Sequence, residues 1–118
     1  MSALKAFLVI FWLVLAVYTG IVIADHGANL FPQFFGDMMA VDWAGQFNLD
    51  FVGFLVLSAS WTAWRHEFSG AGLGLAVVAF FGGMGYLCIY LMVLLTQTGG
   101  DLVRVLLGDG RAAALRAS

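Results

Sequence analysis

Asp50 is the residue whose chemistry most needs an account. It stands in FNLDFVGFLVLSASWTAW, residues 47–64, a run with no other ionisable side chain. A carboxylate in such a run has two uses. It can take up a proton, an ion or a substrate group, the usual expectation for an acid within a membrane span. It can instead anchor a helix start, where the macrodipole favours negative charge and interfacial water is within reach. At 100° per residue, Asp50 shares a broad face with Gln46, Gly53, Leu57, Ser60, Trp61 and Trp64, while Asn48, Val52, Leu55, Ala59 and Thr62 lie opposite. The Asp50 face is expected to pack on another helix, because an acid turned to lipid costs about 2.5–3.5 kcal/mol at mid-membrane. Gln46, Asn48, Asp50 and Arg65 are the polar candidates for function. Arg65 lies roughly 22 Å further along the helix axis, too far to pair with Asp50 in one helix. Arg65-His66-Glu67 reads as a cap on the far helix end, where cations suit the dipole.

The rest of the reactive inventory is sparse. His26 and His66 fall at opposite ends of their apolar runs, so they cannot share one metal or haem within a monomer. No histidine or lysine lies mid-run to serve as an axial ligand or to carry a Schiff base. Asp25, His26, Asn29, Asp37 and Asp42 gather oxygen donors, but their spacing matches no compact cation loop and they read as solvated acids. Cys88 stands alone, with no partner for a disulfide and no nearby base to activate it. No catalytic set, metal or cofactor is expected.

These residues must be positioned by a membrane protein. Of 118 residues, 63% are hydrophobic and 10% charged, against about 45–50% and 25% in soluble domains. The mean hydropathy is +0.98. The net charge of -2 offers no basic footprint for nucleic acid. Three apolar runs, residues 6–24, 47–65 and 71–97, approach or exceed the roughly 20 residues that cross a bilayer as a helix. The fold class is therefore all-α, with three transmembrane helices. The first run is longer than the apolar core of roughly 7–15 residues in a signal peptide, so it reads as a retained span.

Residues 25–46 hold no Lys or Arg, yet carry Phe31, Phe34, Phe35, Met38, Met39 and Trp43. Such a segment lies along the membrane interface. It is expected to contain a short helix over 32–40, and Asp42 to cap the second span. The six-residue turn 65–70 makes the second and third spans antiparallel neighbours. Thr98-Gly99-Gly100 reads as a helix stop. Beyond it, residues 101–110 have the pattern of a turn or two of surface helix, and the end of the tail 98–118 is expected to fray.

Orientation follows the cations. Lys5 and Arg65 flank one side and the first loop has none, which argues for a cytoplasmic amino terminus. Three straight spans would put Arg104, Arg111 and Arg116 on the other side, so the count is nearly tied. In the third span, Gly72, Ala76, Ala79, Gly83, Tyr86, Tyr90 and Gln97 form a stripe, with Ala79 and Gly83 in small-xxx-small spacing, that would let helix backbones approach. Gly53 on the second span reads the same way.

Asp42-Trp43, Asp50, Gly53-Phe54-Leu55, Trp61 and Arg65, with Gly83 and Tyr86 later, resemble the pattern of an uncharacterised family of small three-span bacterial membrane proteins. That family's pattern has a proline between the Asp and Trp and an adjacent Arg-Glu, whereas here Asp42 touches Trp43 and His66 separates Arg65 from Glu67. The resemblance implies a multi-pass protein of a bacterial inner membrane and supplies no activity. The expected partners are the lipid bilayer and either further copies of the chain or another membrane protein. The expected role is lateral packing without catalysis, the alternative being a proton- or ion-linked element that uses Asp50 in an oligomer.

Overall fold

The structure is a computed structural model that describes residues 2–117. It is all-helical: α1 (Ser2–His26), α2 (Phe31–Ala40), α3 (Trp43–Arg65), α4 (Gly70–Thr98), α5 (Leu102–Leu107) and α6 (Asp109–Ala117). The local signals explain most boundaries. Pro32 sits in the first turn of α2, where its missing N–H costs nothing. Asp42 caps α3 by accepting from Gly45 N at 2.9 Å, and Ser69 caps α4 by accepting from Gly72 N at 3.1 Å. Gly99, at φ +64°, closes α4 in the left-handed region.

α4 does not run straight. Gly83 holds φ +55° and ψ -138°, a conformation open essentially to glycine alone, between helical arms over 70–82 and 84–98. The arms fold back on each other. In a straight helix Gly72 and Tyr90 would lie about 27 Å apart. Here the single side chain of His66 packs its Cβ against Gly72 and reaches the Tyr90 hydroxyl with Nε2. The first arm is antiparallel to α3, and the second returns beside it toward Arg65. The apex lies at Phe51, whose Cζ would be 3.0 Å from a Cβ on Gly83.

This corrects the expectation of one straight span over 71–97. Each arm is about 20–22 Å long, short of the roughly 30 Å of a hydrocarbon core. Two helices, Ser2–His26 and the bent Gly70–Gln97, are long and apolar enough in total to cross a membrane. The expected second span does not join them, because Gln46, Asn48, Asp50 and the Ser, Thr and Trp residues of α3 dilute its hydropathy.

α1 and α3 both pack on α4. The core joins Leu8 of α1 to Cys88, Tyr90, Leu94 and Leu95 of the second arm and Val105 of α5. Leu8 is the one buried residue of α1 among those described. α2 lies across the start of α3: a Cβ on Gly45 would overlap the Asp37 carbonyl oxygen, and Asn48 Nδ2 donates to Phe34 O at 3.1 Å.

The packed face of α3 is the one opposite to expectation. Leu55 and Thr62 are buried and Asn48, Val52 and Ala59 half-buried, whereas Gln46, Asp50, Gly53 and Leu57 are exposed. The tail also departs from expectation. Residues 109–117 form α6 rather than a frayed end, because Arg116 clamps Asp101 through contacts of 2.7 and 2.9 Å and Arg111 lies over the Trp64 ring.

Candidate functional site

The polar groups that the fold brings together lie where α3 ends, around Arg65. α5 is only six residues long; Arg104 O accepts from the Gly108 amide that closes the helix, and the carbonyls after it lie beyond the last helical donor. Side chains of α3 donate to these carbonyls. Arg65 Nε donates to Val105 O at 2.6 Å and Arg65 Nη2 to Arg104 O at 3.0 Å, while Trp61 Nε1 donates to Leu106 O at 3.0 Å. Gly108 permits this close docking: a Cβ there would sit 2.9 Å from Arg65 O, and its φ is +88°.

The third nitrogen of Arg65, Nη1, donates to the Tyr90 hydroxyl at 3.5 Å. That hydroxyl also shares a 2.5 Å hydrogen bond with His66 Nε2. As acceptor from Arg65, Tyr90 can direct its one proton to His66, which requires a neutral imidazole. Burial, and then the neighbouring Arg65 charge, hold His66 below the ordinary histidine range, which agrees with that assignment. Tyr86 stacks on Tyr90 with ring centroids 5.3 Å apart, and its hydroxyl is 3.3 Å from Thr62 Oγ1. Thr62 in turn donates to Ser58 O.

Around this core the tail adds a second layer. Arg104 pairs with Asp109 at 2.9 Å and Arg116 with Asp101 at 2.7 Å. The Arg116 hydrogen bond holds the Asp101 carboxyl below its usual range, and Arg104 does the same for Asp109. Arg111 donates to Trp64 O and lies 4.1 Å from the Trp64 ring centroid. Between the layers is a polar cavity of about 390 Å³, whose walls include Arg65, His66, Gln97, Arg104 and Arg111.

The residues expected from sequence divide between this site and the rest of the chain. Arg65, Tyr86 and Tyr90 meet in it. Ala79 is fully buried in the first arm, and Gly83 forms the apex. Asn48 is spent on α2. Asp50 makes no hydrogen bond or ion pair with any described residue and is exposed, as is Gln46. Gly53 meets nothing within 4 Å, so its expected packing role finds no partner inside the chain. Thr62, His66, Trp61 and Arg111 belong to the site and are not among the site residues expected from sequence, where His66 reads only as part of a helix cap. The signal that could have found them is Gly82-Gly83 in the middle of an apolar run, a helix-breaking pair that returns Tyr86 and Tyr90 to the Arg65 turn.

The arrangement offers guanidinium donors, two stacked phenols and an imidazole bonded to one of them. Cys88 is buried against Leu8. Among the described residues no three His, Cys, Asp or Glu side chains converge as metal ligands. No family model, curated protein or solved structure matches the chain.

Proposed function

We propose that the chain is a small multi-pass protein of a bacterial inner membrane. It crosses the bilayer with α1 and with α3, whose 23 residues give the length to span although polar side chains dilute its hydropathy. It inserts α4 as a re-entrant hairpin, and acts by lateral helix packing, as a homo-oligomer or as an accessory subunit of a larger complex. One observation carries this reading: the segregation of the cations along the molecule, while the acids, with Glu67, Asp101 and Asp109 beside the arginines, occur at both ends. All five Lys and Arg residues belong to one end: Lys5 lies one turn before the core residue Leu8, and Arg104, Arg111 and Arg116 join Arg65 through the returning hairpin. Asp25, Asp37 and Asp42 belong to the other end. Between them lies a belt of exposed apolar side chains such as Val17, Tyr18, Phe47, Leu49 and Leu57. A hairpin removes the near tie in the cation count and favours a cytoplasmic Arg65 end with both termini inside. The hairpin's non-helical residue is tolerable at membrane depth because Phe51 and Leu55 cover it.

Lateral packing follows from Asp50. A carboxylate exposed on the flank of α3, beside the open Gly53, needs a neighbour that can hydrogen-bond it. Gln46, one turn away on the same face, supplies an amide donor that a second copy could offer. The same exposed, unpartnered carboxylate supports the alternative, a proton- or ion-linked element formed in an oligomer.

The topology is tested in a Cys88→Ala background with single cysteines at Ala28, Ala71 and Ala113. An impermeant maleimide is expected to label position 28 in intact cells, and positions 71 and 113 only after the membrane is opened. Labelling of 113 together with 28 in intact cells would mean that α4 crosses straight, and the hairpin reading would fail.

A further inference from the structure

We propose that the polar cavity at the Arg65 end is a binding site for a phosphate group, carried either by an anionic phospholipid headgroup or by a small soluble phosphate. The case starts from the guanidinium groups. The ion pairs among the described residues are Arg104 with Asp109 and Arg116 with Asp101. Arg65 and Arg111 therefore line the cavity with no carboxylate of their own. Arg65 spends three donors on two carbonyls and a phenol, which leaves two of its five N–H groups. Arg111 spends one on Trp64 O, and its stacking on the indole leaves the guanidinium edge free to donate. The planar fork of an arginine matches phosphate oxygens in pairs.

The backbone adds to this. α6, nine residues long, begins at the cavity wall with Asp109, Gly110 and Arg111. Its first amides have no acceptor within the helix and carry the positive end of the dipole. A volume of about 390 Å³ admits a phosphate with part of an attached glycerol. Two carboxylates also line the cavity. Asp109 is committed to Arg104, and Glu67 is exposed at the rim. Three arginines against two carboxylates leave the wall net positive, and Glu67 is the group that opposes an entering anion.

The soluble arm of this proposal stands without any bilayer. The lipid arm rests on the membrane reading above, which the cysteine labelling tests separately. The experiment uses the full chain in neutral detergent and follows the thermal unfolding midpoint during titration with inorganic phosphate, glycerol 3-phosphate, phosphatidylglycerol or phosphatidylcholine. A saturable rise with a phosphate-bearing anion is expected, and none with zwitterionic phosphatidylcholine. A rise with the free phosphates assigns a soluble ligand, and a rise with phosphatidylglycerol alone assigns a lipid headgroup. In either case Arg111→Gln should raise the half-saturating concentration about tenfold or more, the loss of a charge-assisted bond. Glu67→Gln should lower it. Lys5→Gln removes the same charge from the same end, on α1 and outside the cavity, and should leave it unchanged. No response to any phosphate, or equal losses in Arg111→Gln and Lys5→Gln, overturns the proposal.

Discussion

His66 Nε2 lies 2.5 Å from the Tyr90 hydroxyl, across 24 residues of chain, and this contact ties the turn after α3 to the returning arm of α4. Tyr90→Phe removes the hydroxyl that bridges Arg65 and His66. A loss of about 1 kcal/mol is expected from the broken bonds, with more if the imidazole nitrogen is left dry. Tyr86→Phe should cost less, since Thr62 keeps its bond to Ser58 O. Thermal unfolding in detergent ranks the two variants, and the reverse order would remove Tyr90 from the centre of the site.

The same pair sets a pH dependence. His66 is held below its unfolded value of about 6.5. A histidine whose folded pKa is depressed favours the neutral form, so its contribution is complete above that unfolded value. It is lost as pH falls from there through the folded value. Asp101 and Asp109, held low by Arg116 and Arg104, add their own losses only in stronger acid. The unfolding midpoint should therefore fall between pH 7 and the mid-acid range. His66→Gln, which cannot titrate, should flatten that limb. An unchanged slope in the variant would assign the loss elsewhere.

Gly83 and Gly53 are both glycines inside helices, and they should respond oppositely to alanine. At Gly83 a side chain meets a backbone conformation that L-residues rarely adopt and a Phe51 carbon at 3.0 Å. Gly83→Ala is expected to cost about 1–3 kcal/mol. At Gly53 a Cβ meets open space, and Gly53→Ala should stabilise the monomer by about 0.5–1 kcal/mol through lost chain entropy. Equal midpoints for the two variants would mean that the bend at Gly83 is not required.

Arg65 holds α5 by its carbonyl end, and lysine cannot replace it. A lysine carries one nitrogen where Arg65 uses three to reach Val105 O, Arg104 O and Tyr90. Arg65→Lys should cost on the order of 2 kcal/mol and should free the tail. The readout is protease cleavage near Arg104 and Arg111, which should speed up in the variant while α3 stays intact. Cleavage at the wild-type rate would show that Val105 packing and the Trp61 bond to Leu106 O hold α5 without Arg65.

These effects separate what could be read along the chain from what could not. Asp42 as a cap, a helix within the first loop and the stop at Gly99 were legible, because each is decided by a few neighbouring residues. α2 runs over Phe31–Ala40 against an expected 32–40. The bend at Gly83 was not legible from hydropathy, which sums side chains over 71–97 and is blind to one backbone dihedral. Two further features depend on that dihedral and are hidden with it: the tail arginines lie at the Arg65 end, and Tyr90 meets Arg65. α6 was missed because its residues have a polar average and make their contacts, Arg111 with Trp64 and Arg116 with Asp101, only after the hairpin closes. The packed face of α3 is not legible from Asp50, because no helix of this chain takes up its carboxylate and the opposite face, with Leu55 and Thr62, is the buried one.

Asp50 supplies the last test. In the monomer it touches no partner, so neither Asp50→Asn nor Asp50→Leu should shift the unfolding midpoint of dispersed protein by more than about 0.5 kcal/mol. The difference should appear between molecules. If the Gln46–Asp50–Gly53 face binds a second copy, Asn keeps an acceptor for the neighbouring amide and retains most association. Leu offers none, and should leave that amide unpaired in an apolar contact. Cross-linking yield in bilayers, with light scattering in mild detergent, measures this. A proton-linked role orders the variants differently, since neither Asn nor Leu carries a titratable proton. Both would then abolish flux in proteoliposomes while cross-linking of the Asn variant stayed normal. Association that survives Asp50→Leu unchanged would remove this face from the contact, and proton flux lost equally in both variants would make Asp50 a working carboxylate.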